Sequence, residues 1–117
     1  MMRRLATLLC FAWILGVSAQ TPTPANEEHL AYWIRTLQTN PMNLVRKNAA
    51  RTLGTLADRS ATPALIGALK DKFFGVRAEA AKSLGLLTDN RAEDALGETA
   101  QNDTDASVRR NAREALE

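Results

Sequence analysis

Few side chains in this sequence could take part in acid–base or metal chemistry, and the most conspicuous are Glu28 and His29. They are adjacent, and His29 is the only histidine of the chain. A single imidazole without nearby cysteine makes a poor metal site, because stable sites use several nitrogen or sulfur ligands. No nucleophile, base and orienting acid recur at readable spacing, and no glycine-rich phosphate loop is present. The sequence therefore predicts no catalytic residues, no metal ligands and no cofactor.

A repeated motif is the strongest pattern in the chain. The segment Val76–Asp89 recurs upstream as Val45–Asp58, and a shortened third copy occupies Val108–Leu116. The copies begin 31 and 32 residues apart. A fixed period of this length is typical of a repeat protein, in which each unit packs only on its neighbours.

Each copy of the motif carries an arginine at its second position, and this position could bind an anion. The three residues are Arg46, Arg77 and Arg109. A positive charge near a helix start is mildly unfavourable beside the helix dipole, so its recurrence needs a cause. We favour a structural ladder, in which each arginine binds carboxylates or carbonyls of the turns, with Asp58 and Asp89 as the candidate carboxylates. Capture of an external anion is the functional alternative.

The apolar spacing predicts that every copy of the motif is a helix. Residues four, eight and eleven positions apart form one stripe, namely Val45, Ala49, Leu53 and Leu56 in the first copy and Val76, Ala80, Leu84 and Leu87 in the second. Gly54 and Gly85 lie inside these helices, where glycine costs about 1 kcal/mol relative to alanine. We therefore expect a neighbouring helix backbone to approach closely at both glycines.

Turn signals divide the remaining chain into helix pairs. We expect helices over about residues 27–38, 43–57, 63–70 and 91–101, together with the second motif copy after Gly75 and a last helix ending at Glu117. Thr62 is the expected cap of the third helix, with Pro63 at its first position, and Asp105 is the expected cap of the last. The predicted fold is all-α, a short right-handed α-solenoid of about three antiparallel helix pairs.

These features resemble the HEAT repeat, in particular the short bacterial and cyanobacterial type named after phycobilisome lyases. The resemblance covers residues 27–117 and rests on Val-Arg at the start of the second helix, an Asp or Asn before it, and Ala-x-x-Leu-Gly at 50–54 and 81–85. The third copy departs from this pattern, because Glu117 stands where the first two have glycine. The resemblance implies stacked helix pairs and specifies no activity.

Some proteins with HEAT-like repeats are enzymes, and these supply an alternative function. Deoxyhypusine hydroxylases carry several His-Glu pairs for a di-iron centre, whereas this chain has one pair in the reverse order, Glu28-His29. Relatives that handle bilins work in a different compartment from an exported protein. The chain is therefore expected to be a non-catalytic scaffold for protein–protein interaction. The alternative is a degenerate relative of such oxidoreductases, hydroxylases or bilin lyases.

The first 19 residues have the features of a secretory signal peptide. Arg3 and Arg4 precede an apolar run from Leu5 to Val17, and cleavage is expected after Ala19. A membrane-spanning helix needs about 20 apolar residues, so a permanent anchor is the weaker interpretation. Cys10, the only cysteine, would leave with the leader. We expect an exported product, periplasmic or secreted, that meets a membrane only through an uncleaved leader.

Removing the leader also changes the charge of the chain. Two of the 15 basic residues go with it, which leaves 13 against 13 acidic residues. A neutral product gives no general reason to expect nucleic-acid binding. Residues 20–26 contain two prolines and two threonines and are expected to form an extended linker before the repeat domain at 27–117.

The predicted second helices carry basic residues opposite the apolar stripe. Counting 100° per residue places Lys47, Arg51, Lys82, Arg110 and Arg113 there. These residues are the candidate binding face, and an acidic segment of another protein is the candidate partner. The alternative is a charged surface that is only solvated.

The four aromatic residues of the repeat domain are all expected to be buried. Trp33 lies on an apolar stripe and is assigned to the core, and Tyr32, Phe73 and Phe74 are also expected to be buried.

The last helix has no obviously polar capping unit after it. We therefore expect self-association through this end or a marginally stable chain.

Overall fold

The computed structural model describes residues 24–117, and all the regular secondary structure in this range is helical. The predicted leader 1–19, its cleavage after Ala19, Cys10 and the first part of the 20–26 linker lie outside these residues. The helices are α1 (Pro24–Thr39), α2 (Asn43–Leu56), α3 (Thr62–Ala68), α4 (Phe74–Leu87), α5 (Glu93–Asn102) and α6 (Ala106–Leu116). They form three pairs, which confirms the predicted all-α fold. None of them is long and apolar enough to cross a membrane.

The connection from one pair to the next is built in the same way twice. α2 and α4 end at residues with left-handed backbone, Ala57 (φ 56°) and Thr88 (φ 49°). A carboxylate follows each: Asp58 accepts a hydrogen bond from the backbone N–H of Ser60, and Asp89 from that of Arg91. A short 3-10 turn then leads into the next helix, at Arg59–Ala61 and Asn90–Ala92.

These 3-10 turns explain one wrong prediction. Thr62 does not cap α3, because the preceding turn runs directly into the helix and Ala61 already has helical backbone angles. The Thr62 hydroxyl is fully buried and makes no hydrogen bond of standard geometry, although it lies close enough to Asp89 to lower the pKa of that carboxylate. Asp105 does cap α6, as predicted, by accepting from the N–H groups of Ser107 and Val108.

The core lies between the two helices of each pair and between successive pairs. Its fully buried side chains include Leu53, Leu65, Val76, Leu84 and Val108. The predicted stripe of α4 is buried throughout, but in α2 Val45 is half-buried and Leu56 is 40% exposed. The burial of Leu56 was therefore predicted wrongly. Its counterpart Leu87 is buried because α4 has a helix pair on each side, whereas α2 packs on one following pair only.

The two motif glycines lie where neighbouring second helices touch, as the sequence predicts. A Cβ atom on Gly54 would lie 2.9 Å from the Cα of Ser83, and one on Gly85 would lie 3.0 Å from the Cα of Ala115. Ser83 and Ala115 are equivalent positions of successive repeats. Ser83 also donates a hydrogen bond from Oγ to the carbonyl of Ala50, at 2.6 Å. Glycine at these positions lets the helix backbones meet.

The two layers of the stack differ in how closely their helices approach. The second helices α2, α4 and α6 pack against one another along their lengths, whereas the first helices α1, α3 and α5 make few contacts with each other. An open groove lined by Leu37, Pro63, Ala64 and Gly67 separates α1 from α3. The packing that joins one repeat to the next is therefore concentrated in the layer of second helices.

Two of the aromatic residues were assigned wrongly to the interior. Tyr32 is 57% exposed and Phe74 is 50% exposed. Tyr32 lies on the outer side of α1, with its ring edge-on to Trp33 at 5.1 Å, and Trp33 itself is half-buried against the core. The Phe73 ring covers Gly75, and this leaves the adjacent Phe74 outside.

Candidate protein-binding surface

The arginines at the start of α2 and α4 are each held by the turn that precedes the following second helix. Arg46 binds both carboxylate oxygens of Asp71, with Nε at 2.8 Å and Nη2 at 3.0 Å. Arg77 binds Asp103 in the same way, at 2.9 and 3.2 Å. This two-pronged geometry is the strongest arrangement open to an arginine and a carboxylate. Both pairs join one repeat to the next, and the aspartates occupy the donor groups that an external anion would need.

Each of the three arginines also donates to a backbone carbonyl six residues before it. The Nη1 atoms of Arg46, Arg77 and Arg109 lie 2.9, 2.8 and 2.6 Å from the carbonyls of residues 40, 71 and 103. Arg109 has the carbonyl bond but no carboxylate partner within residues 24–117. The carbonyl bond thus fixes the orientation of all three guanidinium groups, and Asp71 and Asp103, from the turns of the next repeats, add an ion pair at Arg46 and Arg77.

The carboxylates that the sequence suggested for this ladder, Asp58 and Asp89, are not the partners of these arginines. Asp58 forms the turn with Ser60. Asp89 is bound by the side chain of Arg91, whose Nη2 lies 2.6 Å from Oδ2. The hydrogen bonds from the Arg91 side chain and backbone hold the pKa of Asp89 well below its usual range. Both aspartates therefore belong to the turns between repeats.

Two further aspartates have depressed pKa values because they hold the turns before α4 and α6. Burial would raise the pKa of Asp71, but hydrogen bonds from Arg46 and from the N–H of Phe73 outweigh it, and the pKa lies below its ordinary value. The hydroxyl of Ser107 and the N–H of Val108 lower the pKa of Asp105. The ionised form of each group is the form that the fold stabilises.

We expect the protein to lose stability in acid. Because Asp71, Asp89 and Asp105 have lower pKa values in the folded than in the unfolded chain, their contribution is complete above the unfolded value of about 3.9. That contribution disappears as the pH falls through the folded values. Urea unfolding followed by circular dichroism should show the midpoint falling below about pH 4. Asp71→Asn should lower stability at neutral pH and flatten this pH dependence. A midpoint independent of pH in the wild type would contradict the assignment.

The five basic residues predicted as a binding face all lie on the second helices. Arg51, Lys82, Arg110 and Arg113 are exposed, and Lys47 is half-buried. Arg51 is less available than the sequence implies, because its Nη2 lies 2.9 Å from Oε1 of Glu79 on α4. Arg110 has only a distant neighbour, Glu114, at 4.0 Å. Unpaired positive charge on this face therefore comes mainly from Lys47, Lys82 and Arg113.

A family model described as HEAT repeats matches residues 30–117, which is most of the chain. The chain belongs to the HEAT-repeat family. No curated protein gives a match to it. The assignment to the subtype named after phycobilisome lyases stays a prediction. In a HEAT protein, each repeat is a helix pair whose second helix packs on the second helices of its neighbours, as α2, α4 and α6 do here.

The basic face of this HEAT protein also exposes large apolar side chains, which the sequence analysis missed. Leu44 on α2 is 62% exposed and Leu86 on α4 is 60% exposed. Both lie off the buried stripe of their helices, and that position was the signal that could have identified them. Protein-binding sites combine apolar contacts at their centre with polar and charged groups at their rim.

The third HEAT repeat has large polar side chains where the first two have small ones. Arg113 stands at the position of Ala50 and Ala81, and Glu117 at that of Gly54 and Gly85. Arg113 and Glu117 are both exposed. A further helix could not approach α6 as closely as α6 approaches α4. Self-association through this end stays a prediction, and it would need a contact unlike those between the repeats.

The remaining chemistry-bearing residue, His29, is occupied within α1. Its Nε2 accepts a hydrogen bond from the indole N–H of Trp33 at 2.9 Å. Among residues 24–117 there is no group of three or more His, Cys, Asp or Glu side chains that could hold a metal ion. The exposed face of the second helices is therefore the best-supported candidate site on this HEAT protein.

Proposed function

We propose that this HEAT-repeat protein is an exported, non-catalytic module that binds an acidic segment of another protein on the exposed face of α2, α4 and α6. The observation that carries the proposal is the division of charge between the two layers. Apart from the three arginines bound in the turns, the second helices contain five Lys and Arg residues and two Glu, whereas α1, α3 and α5 contain five Asp and Glu residues and one Arg. Charge segregated in this way gives the face of the second helices a local positive field that attracts an acidic partner.

The character of this face supports a protein partner. Arg46, Arg51 and Arg77 are bound by carboxylates. Within the described residues, the cations that stay free include Lys47 on the helix of Leu44 and Lys82 on the helix of Leu86. Charged side chains at the rim of an interface steer association and fix register, while buried aliphatic contacts supply most of the affinity. A segment with carboxylates and apolar side chains would make both the charged contacts and the aliphatic contacts. Export is supported by the charged start, short apolar run and small residues of positions 1–19.

The test is a comparison of two triple variants that change the net charge equally. The face variant is Lys47→Glu, Lys82→Glu and Arg113→Glu, and the matched control is Arg35→Glu, Lys70→Glu and Lys72→Glu, which are exposed residues outside the second helices. Partners captured from envelope extract are identified by mass spectrometry, and their affinities for the purified variants are measured. We expect the face variant to bind at least about tenfold more weakly and the control to bind like wild type.

Two results would contradict this proposal. A partner that binds both triple variants equally would exclude the face, and a tightly bound metal or chromophore in the purified protein would favour the enzyme-like alternative. The intact mass of protein recovered from the native host reports on export. Removal of residues 1–19 supports it, and retention of Cys10 opposes it.

A further inference from the structure

The two grooves between neighbouring second helices are equivalent by repeat but differ in charge pairing. In the groove between α2 and α4, Arg51 reaches across to Glu79, and the ion pair of 2.9 Å spans the groove. The corresponding residues between α4 and α6 are Lys82 and Asn111. Asn111 carries no charge, and its Nδ2 donates to the carbonyl of Ala78 at 3.1 Å. Within the described residues, Lys82 therefore lacks the carboxylate that neutralises Arg51.

The groove beside Lys82 is open and has an apolar floor. It has a volume of about 200 Å³ and is lined by Lys82, Gly85, Leu86, Asn111, Glu114 and Ala115. Gly85 and Ala115 form the floor where the two helix backbones meet, and Leu86 forms an exposed apolar wall. Glu114, the one carboxylate of the lining, has Arg110 as its nearest cation.

From this difference in charge pairing between the two grooves, we propose that the groove between α4 and α6 is the main binding site for the acidic segment. A partner carboxylate takes the place that Glu79 has in the groove between α2 and α4 and pairs with Lys82. An apolar side chain one helical turn away from that carboxylate packs against Leu86, Gly85 and Ala115. This inference rests on the proposed function and assigns it a position.

The lining favours a short acidic and apolar segment over a polyanion. A phosphate backbone would bring several negative charges into a groove that offers one free ammonium and already contains Glu114. An alternating acidic and apolar helix places single carboxylates beside single apolar contacts, which matches Lys82 and Leu86. The spacing of the two groups along one helix, four residues apart, fits one turn of such a segment.

The key variant is Asn111→Glu, which restores the residue that the other groove has. We expect the new carboxylate to pair with Lys82 as Glu79 pairs with Arg51, and so to occupy the site without any partner. Asn111→Gln is the matched control, because it is equally long but neutral. Lys82→Gln is a second variant, which removes the cation at an exposed position and should not affect folding. Circular dichroism checks that all three fold.

The probe is a short amphipathic helical peptide of glutamate and leucine, titrated into the isotope-labelled full protein and followed by nuclear magnetic resonance. We expect amide shifts at Lys82, Leu86 and Asn111, binding at least about tenfold weaker for Asn111→Glu, and a loss of about threefold to fivefold for Lys82→Gln. Asn111→Gln should bind like wild type. Glu79→Gln should free Arg51 and produce additional shifts between α2 and α4.

The outcomes separate this inference from the proposed function. If the peptide binds the basic face but Asn111→Glu binds it normally, the groove between α4 and α6 is not the main binding site and the function stands. If neither the peptide nor any partner responds to the charges of the face, the function itself fails. Vesicles of phosphatidylglycerol that compete fully with the peptide and bind Asn111→Glu unchanged would identify a membrane surface and overturn the inference.

Discussion

Replacing Arg77 with methionine is expected to lower the free energy of unfolding by about 3–5 kcal/mol. Arg77 and Asp103 form a two-pronged ion pair, and their side chains are 14% and 8% exposed. Methionine keeps an apolar stem in place but leaves the carboxylate without its cation. An unpaired charge in that position costs far more than the pair contributes. Urea unfolding of the wild type and the variant, followed by circular dichroism, measures the difference.

Arg109→Met is the matched control for this change. Arg109 occupies the same position in its repeat and donates to the same type of carbonyl, but it has no carboxylate partner within the described chain. We expect its replacement to cost about 1 kcal/mol, the value of an ordinary hydrogen bond. Equal losses at residues 77 and 109 would show that the carbonyl bond, and not the ion pair between repeats, accounts for the stabilisation.

Adding a single methyl group at Gly54 is expected to destabilise the protein by about 1–3 kcal/mol. Alanine normally stabilises a helix relative to glycine, by about 1 kcal/mol. Here the new Cβ would lie 2.9 Å from the Cα of Ser83, so α2 and α4 must move apart. That movement also strains the hydrogen bond from Ser83 to the carbonyl of Ala50. Thermal unfolding of Gly54→Ala reports the net effect.

The same substitution at Gly97 should have the opposite effect on stability. Gly97 lies within α5, and a Cβ built there meets nothing within 4 Å. Without a clash, only the helix preference remains, and we expect Gly97→Ala to raise the stability by about 0.5–1 kcal/mol. Stabilisation by both alanines would mean that the second helices tolerate a wider separation.

The sequence was sufficient to predict the helices because their period and apolar stripe are repeated. The sequence was less reliable for predicting which charged side chains form ion pairs, as the ladder of Arg46, Arg77 and Arg109 shows. Asp58 lies twelve residues after Arg46, and a helix rises 1.5 Å per residue, so the two are about 18 Å apart at opposite ends of α2. The partner had to come from a turn at the same end of the helix, and Asp71 is in that turn. Helix length alone could have corrected this prediction.

Burial was harder to predict than helix position, because a pattern within one helix does not say what covers it. Leu56 has the same place in its helix as the buried Leu87, and only the neighbouring helix pair distinguishes them. Helix geometry placed the five basic residues on the second helices, where the structure has them, and their use as a binding face stays a prediction. That Arg51 is neutralised could not be predicted from its own helix, because its partner Glu79 belongs to the next repeat.

The unequal spacing of the two layers also affects how the array responds to force. The glycine contacts join the second helices backbone to backbone, so this layer resists stretching. The first helices touch little, and moving them apart or together breaks few contacts. We therefore expect the curvature of the array to change mainly through the spacing of the first helices. The layer of second helices, which carries the basic face, keeps its length. A segment bound as proposed above would keep its register on α2, α4 and α6 while the curvature of the array changes.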